Sequence, residues 1–224
     1  MKEKKKSNVL SFRYLIYDLI RIFASPSLLF FRPKKIYISE KAKTKMRSGV
    51  LIISNHISLF DPMYLLMGIW KRRLRFVAMD QMFKTKFKNW FLTKCCLCIP
   101  IDREHFSIKS FKEIVNHLEN GEAVTIFPEG HVNVNEEGVQ AFKGGMVMMA
   151  LRSGTPIVPV YILRRKHWYS RLVIGVGESV NANEFKTGER LSLEDVDKAS
   201  QFLHEQEVEL EKLCTEKYHG MATK

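Results

Sequence analysis

The feature that most constrains the fold is an alternation, beginning near residue 49, between short apolar runs and longer stretches with helical periodicity. The runs at 50–54, 123–127 and 157–163 are apolar and rich in β-branched residues, as buried strands are. Between them lie segments such as 107–119, in which apolar residues recur at the spacing of one helix face. Strands that alternate with helices predict an α/β fold: a single layered domain whose mostly parallel central sheet is flanked by helices.

The same periodicity locates the individual elements. With 224 residues, of which 46% are hydrophobic, the chain can bury one sizeable core, and one domain over 36–224 is expected. In such a sheet, sites form where strands end. The predicted strands are 50–54, 75–79, 97–101, 123–127, 157–163 and 172–176, and the predicted helices are 63–70, 82–93, 107–119, 142–152 and 193–218.

Residues 1–35 form a different segment, with nine Lys or Arg and two acidic residues. Arg13, Asp18 and Arg21 interrupt its apolar run, so no transmembrane span is expected, since a span takes about 20 apolar residues. On a helical wheel these charges fall on one side, and the other side gathers Phe12, Leu15, Ile16, Leu19, Ile22 and Phe23. We expect an amphipathic helix that lies on an anionic membrane surface. The alternative is an ordinary helix that packs its apolar face on the domain core.

The charge of the chain indicates a partner that carries phosphate. The net charge is +12, and residues 71–94 hold eight Lys or Arg against one acid. Nucleic acid is not the expected partner, because the sequence has no helix-turn-helix, RRM or zinc-finger pattern. No metal site is expected, because Cys95, Cys96 and Cys98 lack the CxxC spacing of zinc ligands. Reduced thiols in a buried strand are the simpler interpretation.

The first motif with chemical potential is NHISLFDP at 55–62, directly after the first predicted strand. On a continuous helix, His56 and Asp61 would point about 140° away from each other. They can meet if 56–60 form a turn and a helix starts at Asp61-Pro62, with Asp61 as its N-cap. The carboxylate would then hold one imidazole nitrogen and leave the other as a general base. A capping aspartate beside an unrelated histidine is the alternative.

Three further motifs follow later strands. In IPIDRE, Arg103 could grip a phosphate with two parallel hydrogen bonds, although a surface salt bridge is the commoner role of an isolated arginine. In IFPEGHVN, Glu129 precedes Gly130, which permits close approach of a ligand; a merely solvated glutamate is the alternative. In FKGG, Lys143 precedes a helix start, where free N–H groups favour an anion. No serine stands in a nucleophile elbow, so a hydroxyl to be activated would come from the substrate.

Taken in order, NHISLFDP, IPIDR, FPEG, FKGG and PIVPV resemble the glycerolipid acyltransferase family, best known for the 1-acyl-sn-glycerol-3-phosphate acyltransferases. The resemblance covers residues 49–163. It implies that His56 is the general base for a lysophospholipid hydroxyl and that Asp61 orients it. The hydroxyl would attack the thioester of acyl-CoA or acyl-carrier protein, without a cofactor or metal, and the implied product is phosphatidic acid.

The resemblance also implies substrate contacts and a location. Arg103 matches the family's arginine for the acceptor phosphate, and Lys143 aligns with a frequent basic residue. Glu129 and Gly130 match the acceptor-binding motif. Because such an acceptor is a lipid, the protein would be associated with the cytoplasmic face of a membrane as a peripheral or monotopic protein. Backbone N–H groups near the 56–61 turn are the expected oxyanion donors.

One departure from the family pattern bears on the acceptor. Members usually continue FPEG with Thr-Arg-Ser, whereas this chain has His-Val-Asn at 131–133. The second phosphate clamp of the family is therefore missing. A protonated His131 could substitute for it in part, or Lys143 could take over. Two alternatives stay open: O-acyl transfer to a different lipid acceptor, and a non-catalytic lipid-binding protein of the same fold.

Overall fold

In the part of the chain that the structure describes, seven strands form one sheet. The computed structural model describes residues 14–31, 33–43, 48–102, 107–133, 138–142, 144–165, 167, 170–188 and 192–222. The strands are β1 (Lys34–Tyr37), β2 (Val50–Ser54), β3 (Leu74–Met79), β4 (Ile99–Ile101), β5 (Ala123–Ile126), β6 (Ile157–Ile162) and β7 (Val173–Val176). Their order in the sheet is β1-β7-β6-β2-β5-β3-β4. Neighbours are parallel except β6 and β7, which are antiparallel, so the predicted mostly parallel sheet is confirmed.

Helices cover both faces of this sheet. They are α1 (Leu15–Ala24), α2 (Pro26–Phe31), α3 (Asp61–Gly68), α4 (Lys86–Trp90), α5 (Ile108–Glu119), α6 (Gly145–Ser153) and α7 (Leu193–Ala222). In β2, Leu51 and Ile53 pack against α5, α6 and α7, whereas Val50 and Ile52 point to the face that carries α2 and α3. Because side chains alternate along a strand, β2 is buried on both faces, which explains its uninterrupted apolar sequence.

Three local predictions were wrong. Strand β1 was not predicted, because its sequence KKIY is short and half charged, as an edge strand can be. The helix predicted at 82–93 is divided, since Thr85 caps a new helix with its side chain and a π-helical turn follows at Phe91–Cys95. The strand predicted at 97–101 begins at Ile99, because Leu97 has a φ of 54°. The three clustered cysteines therefore precede the strand.

Helix α1 packs on the domain through its polar side. The buried Tyr17 hydroxyl accepts a hydrogen bond from the Leu74 N–H at 3.1 Å. The Asp18 carboxylate accepts two from the Arg73 guanidinium, at 2.6 and 3.0 Å. The apolar side faces outward and exposes Leu15, Ile16, Leu19, Ile20, Ile22 and Phe23. The alternative in which this face packs on the core is therefore wrong.

Helix α2 continues this outward-facing surface towards α3. Leu29 and Phe30 are exposed, whereas the ring of Phe31 packs edge-on against Tyr64 of α3, with centroids 6.3 Å apart. The Phe31 carbonyl accepts a hydrogen bond from the Leu172 N–H at 3.1 Å, which fastens α2 beside the start of β7. In the part of the chain that the structure describes, no helix has both the length and the hydropathy to cross a bilayer.

Candidate active site

The chain leaves β2 in a direction set by Asn55. The ends of β2, β5 and β6 lie side by side, since β2 is the central strand of the three, and together they form the carboxyl edge of the sheet. The buried Asn55 side chain donates to the Ile162 carbonyl at 3.1 Å and accepts from the Ile162 N–H at 2.8 Å. This double hydrogen bond positions the next residue, His56. Sequence reasoning gave Asn55 no role, although an amide directly after a buried strand was a usable signal.

A turn then brings His56 to Asp61. Helix α3 begins at Asp61, and the His56 Nδ1 lies 2.8 Å from the Asp61 Oδ2. Because a carboxylate only accepts hydrogen bonds, in the neutral imidazole Nδ1 carries the hydrogen and Nε2 carries the lone pair. The contact predicted from the five-residue spacing is therefore present. The catalytic roles of the two residues stay predictions.

The Asp61 carboxylate also organises the turn itself. Its Oδ2 accepts hydrogen bonds from the N–H groups of Ile57 and Ser58, at 2.7 and 2.8 Å. The N-cap of α3 is Phe60, so the prediction of Asp61 as the N-cap was wrong. The reason is that the fully buried carboxylate points back to the turn and away from the amides of its own helix. One oxygen thus holds both the turn and the imidazole.

The His56 ring is held on two sides and open on a third. It stacks on Phe127, with centroids 4.2 Å apart and planes 16° apart. Its side chain is 16% exposed, and within the described ranges Nε2 has no hydrogen-bond partner. The nitrogen with the lone pair can therefore be reached by a hydroxyl from outside the protein.

The N–H groups of the turn are already hydrogen-bonded. Those of Ile57 and Ser58 bind Asp61, the Phe60 N–H binds the Ser58 Oγ at 3.2 Å, and the Asp61 N–H binds the Ser58 carbonyl at 3.1 Å. An oxyanion hole needs donors that point at the substrate. The prediction that this turn supplies them is therefore wrong for these four amides, which stabilise the turn instead.

In the FPEG segment, Glu129, which was predicted to contact the substrate, is buried. Gly130 has a φ of 75°, which favours glycine, and its N–H donates to the Phe127 carbonyl at 3.0 Å. The Glu129 side chain lies beside the backbone of His56 and Gln140. Burial raises the pKa of this carboxyl, although the N–H groups of those two residues act to lower it. His131 is exposed, with Nδ1 3.1 Å from the Glu129 carbonyl, so it is the accessible member of this group.

Asn133 ties the FPEG segment to the histidine turn. Its N–H donates to the His56 carbonyl at 2.6 Å, and its carbonyl accepts from the Arg164 Nη2 at 2.8 Å. Asn133 thus links the Arg164 guanidinium to the His56 backbone through two hydrogen bonds. Neither Asn133 nor Arg164 was predicted to contribute. The signal for Arg164 was a basic residue directly after the strand predicted at 157–163.

Two predicted residues, Arg103 and Lys143, lie outside the described residues. Their neighbours are described: β4 ends at Ile101, and α6 begins at Gly145 with Gly144 as its N-cap. The roles predicted for Arg103 and Lys143 therefore stay predictions.

Comparison with known proteins decides the family. The model of a family described as Acyltransferase matches residues 35–163, which is more than half of the chain. The chain belongs to the Acyltransferase family. The matched range runs from β1 to the end of β6 and includes the whole carboxyl edge with the His56 turn.

The curated relatives agree with the predicted glycerolipid acyltransferases. Proteins named 1-acyl-sn-glycerol-3-phosphate acyltransferase from Borreliella burgdorferi and Bacillus subtilis are 28% and 31% identical, over 144 and 125 residues. The alignments cover 62% and 56% of this chain. A probable enzyme of the same name from Mycoplasma pneumoniae is 28% identical over 155 residues, which is 66% of this chain. The alignments span 54% to 60% of the relatives' lengths. The predicted resemblance to the glycerolipid acyltransferases is confirmed.

A solved structure shares the fold. The 1-acyl-sn-glycerophosphate acyltransferase PlsC from Thermotoga maritima superimposes with a TM-score of 0.61 at 21% sequence identity. The superposition covers 88% of this chain and 80% of the Thermotoga chain. The similarity therefore includes most of the layered sheet and its helices.

Proposed function

We propose that this acyltransferase moves a fatty acyl group from a thioester donor to the free hydroxyl of 1-acyl-sn-glycerol-3-phosphate and so forms phosphatidic acid. The observation that carries the proposal is the 2.8 Å contact between His56 and Asp61, which leaves Nε2 of the imidazole unpartnered and accessible within the described part of the chain. The names of the curated relatives agree with this reaction. Acyl-CoA and acyl-carrier protein both fit as donors, and the proposed chemistry uses no cofactor.

The proposed reaction begins with a proton transfer. The His56 Nε2 takes the proton of the acceptor hydroxyl while the hydroxyl oxygen forms a bond to the thioester carbonyl carbon. Asp61 stabilises the imidazolium that results and keeps the ring oriented. No serine or cysteine of the described chain is hydrogen-bonded to the His56 ring, so direct attack by the substrate is favoured over a covalent acyl-enzyme.

Collapse of the tetrahedral intermediate completes the transfer. The carbon–sulfur bond breaks, the electron pair stays on sulfur, and the imidazolium returns its proton to the thiolate. The products are the acylated lipid and a free thiol, and His56 is again neutral. The stacked Phe127 ring limits the positions of the imidazole, so that the same nitrogen serves both proton transfers.

The acceptor phosphate is proposed to bind cations beside the histidine turn. His131 is exposed in the adjacent loop, and Arg103 and Lys143 are the other candidates from the sequence. The Arg164 guanidinium is the cation that the structure adds near this turn. Since Val132 replaces the family's arginine, a lipid acceptor without a phosphate monoester is the second candidate substrate.

Membrane association is proposed for a surface that extends from α1 through α2 to the histidine turn. Its exposed apolar side chains, which we call the apolar surface, come from α1, α2 and the start of α3: Leu15, Ile16, Leu19, Ile20, Ile22, Phe23, Leu29, Phe30, Leu59, Phe60 and Met63. Leu59 and Phe60 belong to the histidine turn itself, so insertion of this surface would bring a lipid acceptor to His56. The cytoplasmic face of the membrane is the proposed side.

An acceptor screen tests the proposal. Purified protein is incubated with labelled acyl-CoA and either lysophosphatidic acid, a neutral lysolipid or monoacylglycerol, in parallel with its His56→Ala variant. Phosphatidic acid formed by the parent protein and not by the variant supports the proposal. Transfer to a neutral acceptor alone supports the second candidate. No transfer to any acceptor, or equal transfer by both proteins, contradicts the proposed chemistry.

A further inference from the structure

We infer that a basic cavity at the opposite, amino edge of the sheet binds a phosphate group. The cavity has a volume of about 380 Å³ and lies between α1 and the starts of β3 and β5. This volume is in the range of small-molecule sites, which begin at about 300 Å³. Its polar lining consists of Tyr14, Arg21, Lys71, Arg72, Arg73, Arg75 and Glu122.

This cavity is separate from the histidine site. It opens where β3 and β5 begin, whereas His56 follows the end of β2. Strand β2 has five residues, and a strand rises about 3.3 Å per residue, so the two edges are about 15 Å apart. A ligand in the cavity therefore does not occupy the acceptor position beside His56.

Three of the five cations already have acidic partners, and two of these, Arg21 and Arg73, share Asp18; the Arg21 Nη1 lies 3.7 Å from the Asp18 Oδ1. The Arg73 guanidinium binds Asp18 at 2.6 and 3.0 Å. Arg75 forms an ion pair with Glu122, whose carboxylate also accepts a hydrogen bond from the Tyr14 hydroxyl at 2.9 Å. The Asp18–Arg73 pair docks α1 on the domain, and the Arg75–Glu122 pair adds little net charge to the cavity. Because Asp18 is shared by Arg21 and Arg73, these three groups keep one net positive charge.

Arg72, Lys71 and the Nε of Arg21 keep donors for a ligand. Arg72 binds only neutral groups with its Nη2, the carbonyls of Ser48 at 2.8 Å and Gly121 at 3.2 Å, so its charge is not cancelled. Lys71 is exposed, and the described residues provide it with no ion-pair partner. The Arg21 Nε is buried with no hydrogen-bond partner, an arrangement that is costly unless a ligand or water fills it.

Guanidinium and ammonium groups that converge on one cavity match the oxygens and charge of a phosphate group. The ligand would contact α1 through Arg21 and the domain through Lys71 and Arg72. The source is either a lipid headgroup, because the outer side of α1 belongs to the apolar surface, or a phosphorylated solute. Both carry the chemistry that the cavity recognises, and the experiment distinguishes them.

Trp70 provides a local signal, because the Arg21 guanidinium lies 4.9 Å from the centroid of its ring. We would measure its fluorescence in a Trp90→Phe, Trp168→Phe background. The titrants are sodium phosphate at constant ionic strength, phosphatidylcholine vesicles that contain phosphatidic acid, and vesicles of phosphatidylcholine alone. Lys71→Gln removes one cation without removing a hydrogen bond of the described structure, and Lys112→Gln removes an exposed cation from α5 as the matched control.

Lys71→Gln is expected to weaken phosphate binding about tenfold, and Lys112→Gln about twofold at most. A saturable signal with both sodium phosphate and phosphatidic acid vesicles supports a site for any phosphate group. A signal with phosphatidic acid vesicles alone, weakened by Lys71→Gln, supports a lipid headgroup. No saturable signal with either, or equal effects of the two substitutions, overturns the inference. All of these outcomes are independent of acyl transfer, so the proposed function is tested separately.

Discussion

Both edges of the sheet pair carboxylates with basic side chains, but the two sets of pairs are suited to different roles. At the carboxyl edge, Asp61 faces an imidazole, whose second nitrogen is accessible. At the amino edge, Asp18 and Glu122 face the guanidinium groups of Arg73 and Arg75. A histidine can accept and return a proton near neutral pH, whereas an arginine stays charged. The first pair is therefore suited to chemistry, and the second pairs are suited to docking a helix and attracting anions.

The edges also differ in how their acids are buried. Asp61 is fully buried and accepts hydrogen bonds from two backbone amides, so it cannot move without opening the turn. Asp18 and Glu122 are partly exposed and accept mainly from long side chains. Substitutions at the first edge should therefore affect turnover most, and those at the second should affect stability and surface binding.

The largest effect is expected from His56→Ala. Removal of the proposed general base should lower kcat by about 10³-fold, since general base catalysis contributes about 10²- to 10⁴-fold. The rate of acyl transfer to lysophosphatidic acid measures this. As a control, His131→Ala removes the exposed imidazole of the adjacent loop and should act mainly on KM. A His56→Ala protein with parental kcat would place the chemistry elsewhere.

Asp61→Asn should lower kcat by about 10²-fold and leave KM within about twofold, because the amide no longer stabilises the imidazolium. Steady-state kinetics on the folded variant measure both constants. The unfolding midpoint of the variant must be recorded as well, since Asp61 also accepts from Ile57 and Ser58. Unchanged turnover would remove the carboxylate from the mechanism.

At the amino edge, Glu122→Gln should lower the free energy of unfolding at pH 7 by about 2 kcal/mol, allowing for partial exposure. Burial acts to raise the pKa of the Glu122 carboxyl, but its interactions with His117 and Arg75 prevail and lower the pKa to about 2. The ion pairs of Glu122 therefore stabilise the protein above its ordinary pKa of 4.5, and this contribution is lost as the pH falls towards 2.

Denaturation curves between pH 7 and pH 2 measure this contribution. The parent protein should lose more stability over the acidic range than Glu122→Gln does. Glu119→Gln, at an exposed acid near the end of α5, is the matched control and should keep the parental pH dependence. Parallel curves for the parent and Glu122→Gln would show that this ion pair does not stabilise the fold.

The smallest effect concerns the apolar surface. Phe23→Ser or Leu29→Ser should each weaken binding to anionic vesicles about tenfold, because either side chain would leave a lipid environment for water. Co-sedimentation with vesicles measures the binding. Ile108→Ser alters an exposed apolar residue of α5 and should leave binding unchanged. If all three variants sediment alike, α1 and α2 are not the membrane-binding surface.

Much of the carboxyl edge could be predicted from local spacing. The apolar run of β2 predicts a strand buried on both sides, and the Asp61-Pro62 pair predicts a helix start, which makes a contact of His56 with Asp61 possible. The direction of the turn amides could not be predicted. Whether the Ile57 and Ser58 N–H groups point to Asp61 or to a substrate depends on backbone angles that residue types do not specify.

Contacts between distant parts of the chain were also beyond prediction. The hydrogen bonds between Asn55 and Ile162 join residues 107 positions apart. The hydrogen bond between Asn133 and Arg164 joins residues 31 positions apart. Nothing in the spacing of a single motif reveals such pairs. The burial of Glu129 has the same origin, because it depends on how the FPEG segment folds over the end of the sheet.

By itself, the sequence determined the layered α/β fold, the family and the two faces of the N-terminal helix, because these follow from local periodicity and short motifs. Only the tertiary structure decided which face of α1 meets the domain. The Asp18–Arg73 ion pair and the Tyr17–Leu74 hydrogen bond turn the apolar side outward. The physical reason is that a helical wheel separates polar from apolar residues, but the partners supplied by the rest of the fold decide which side is buried.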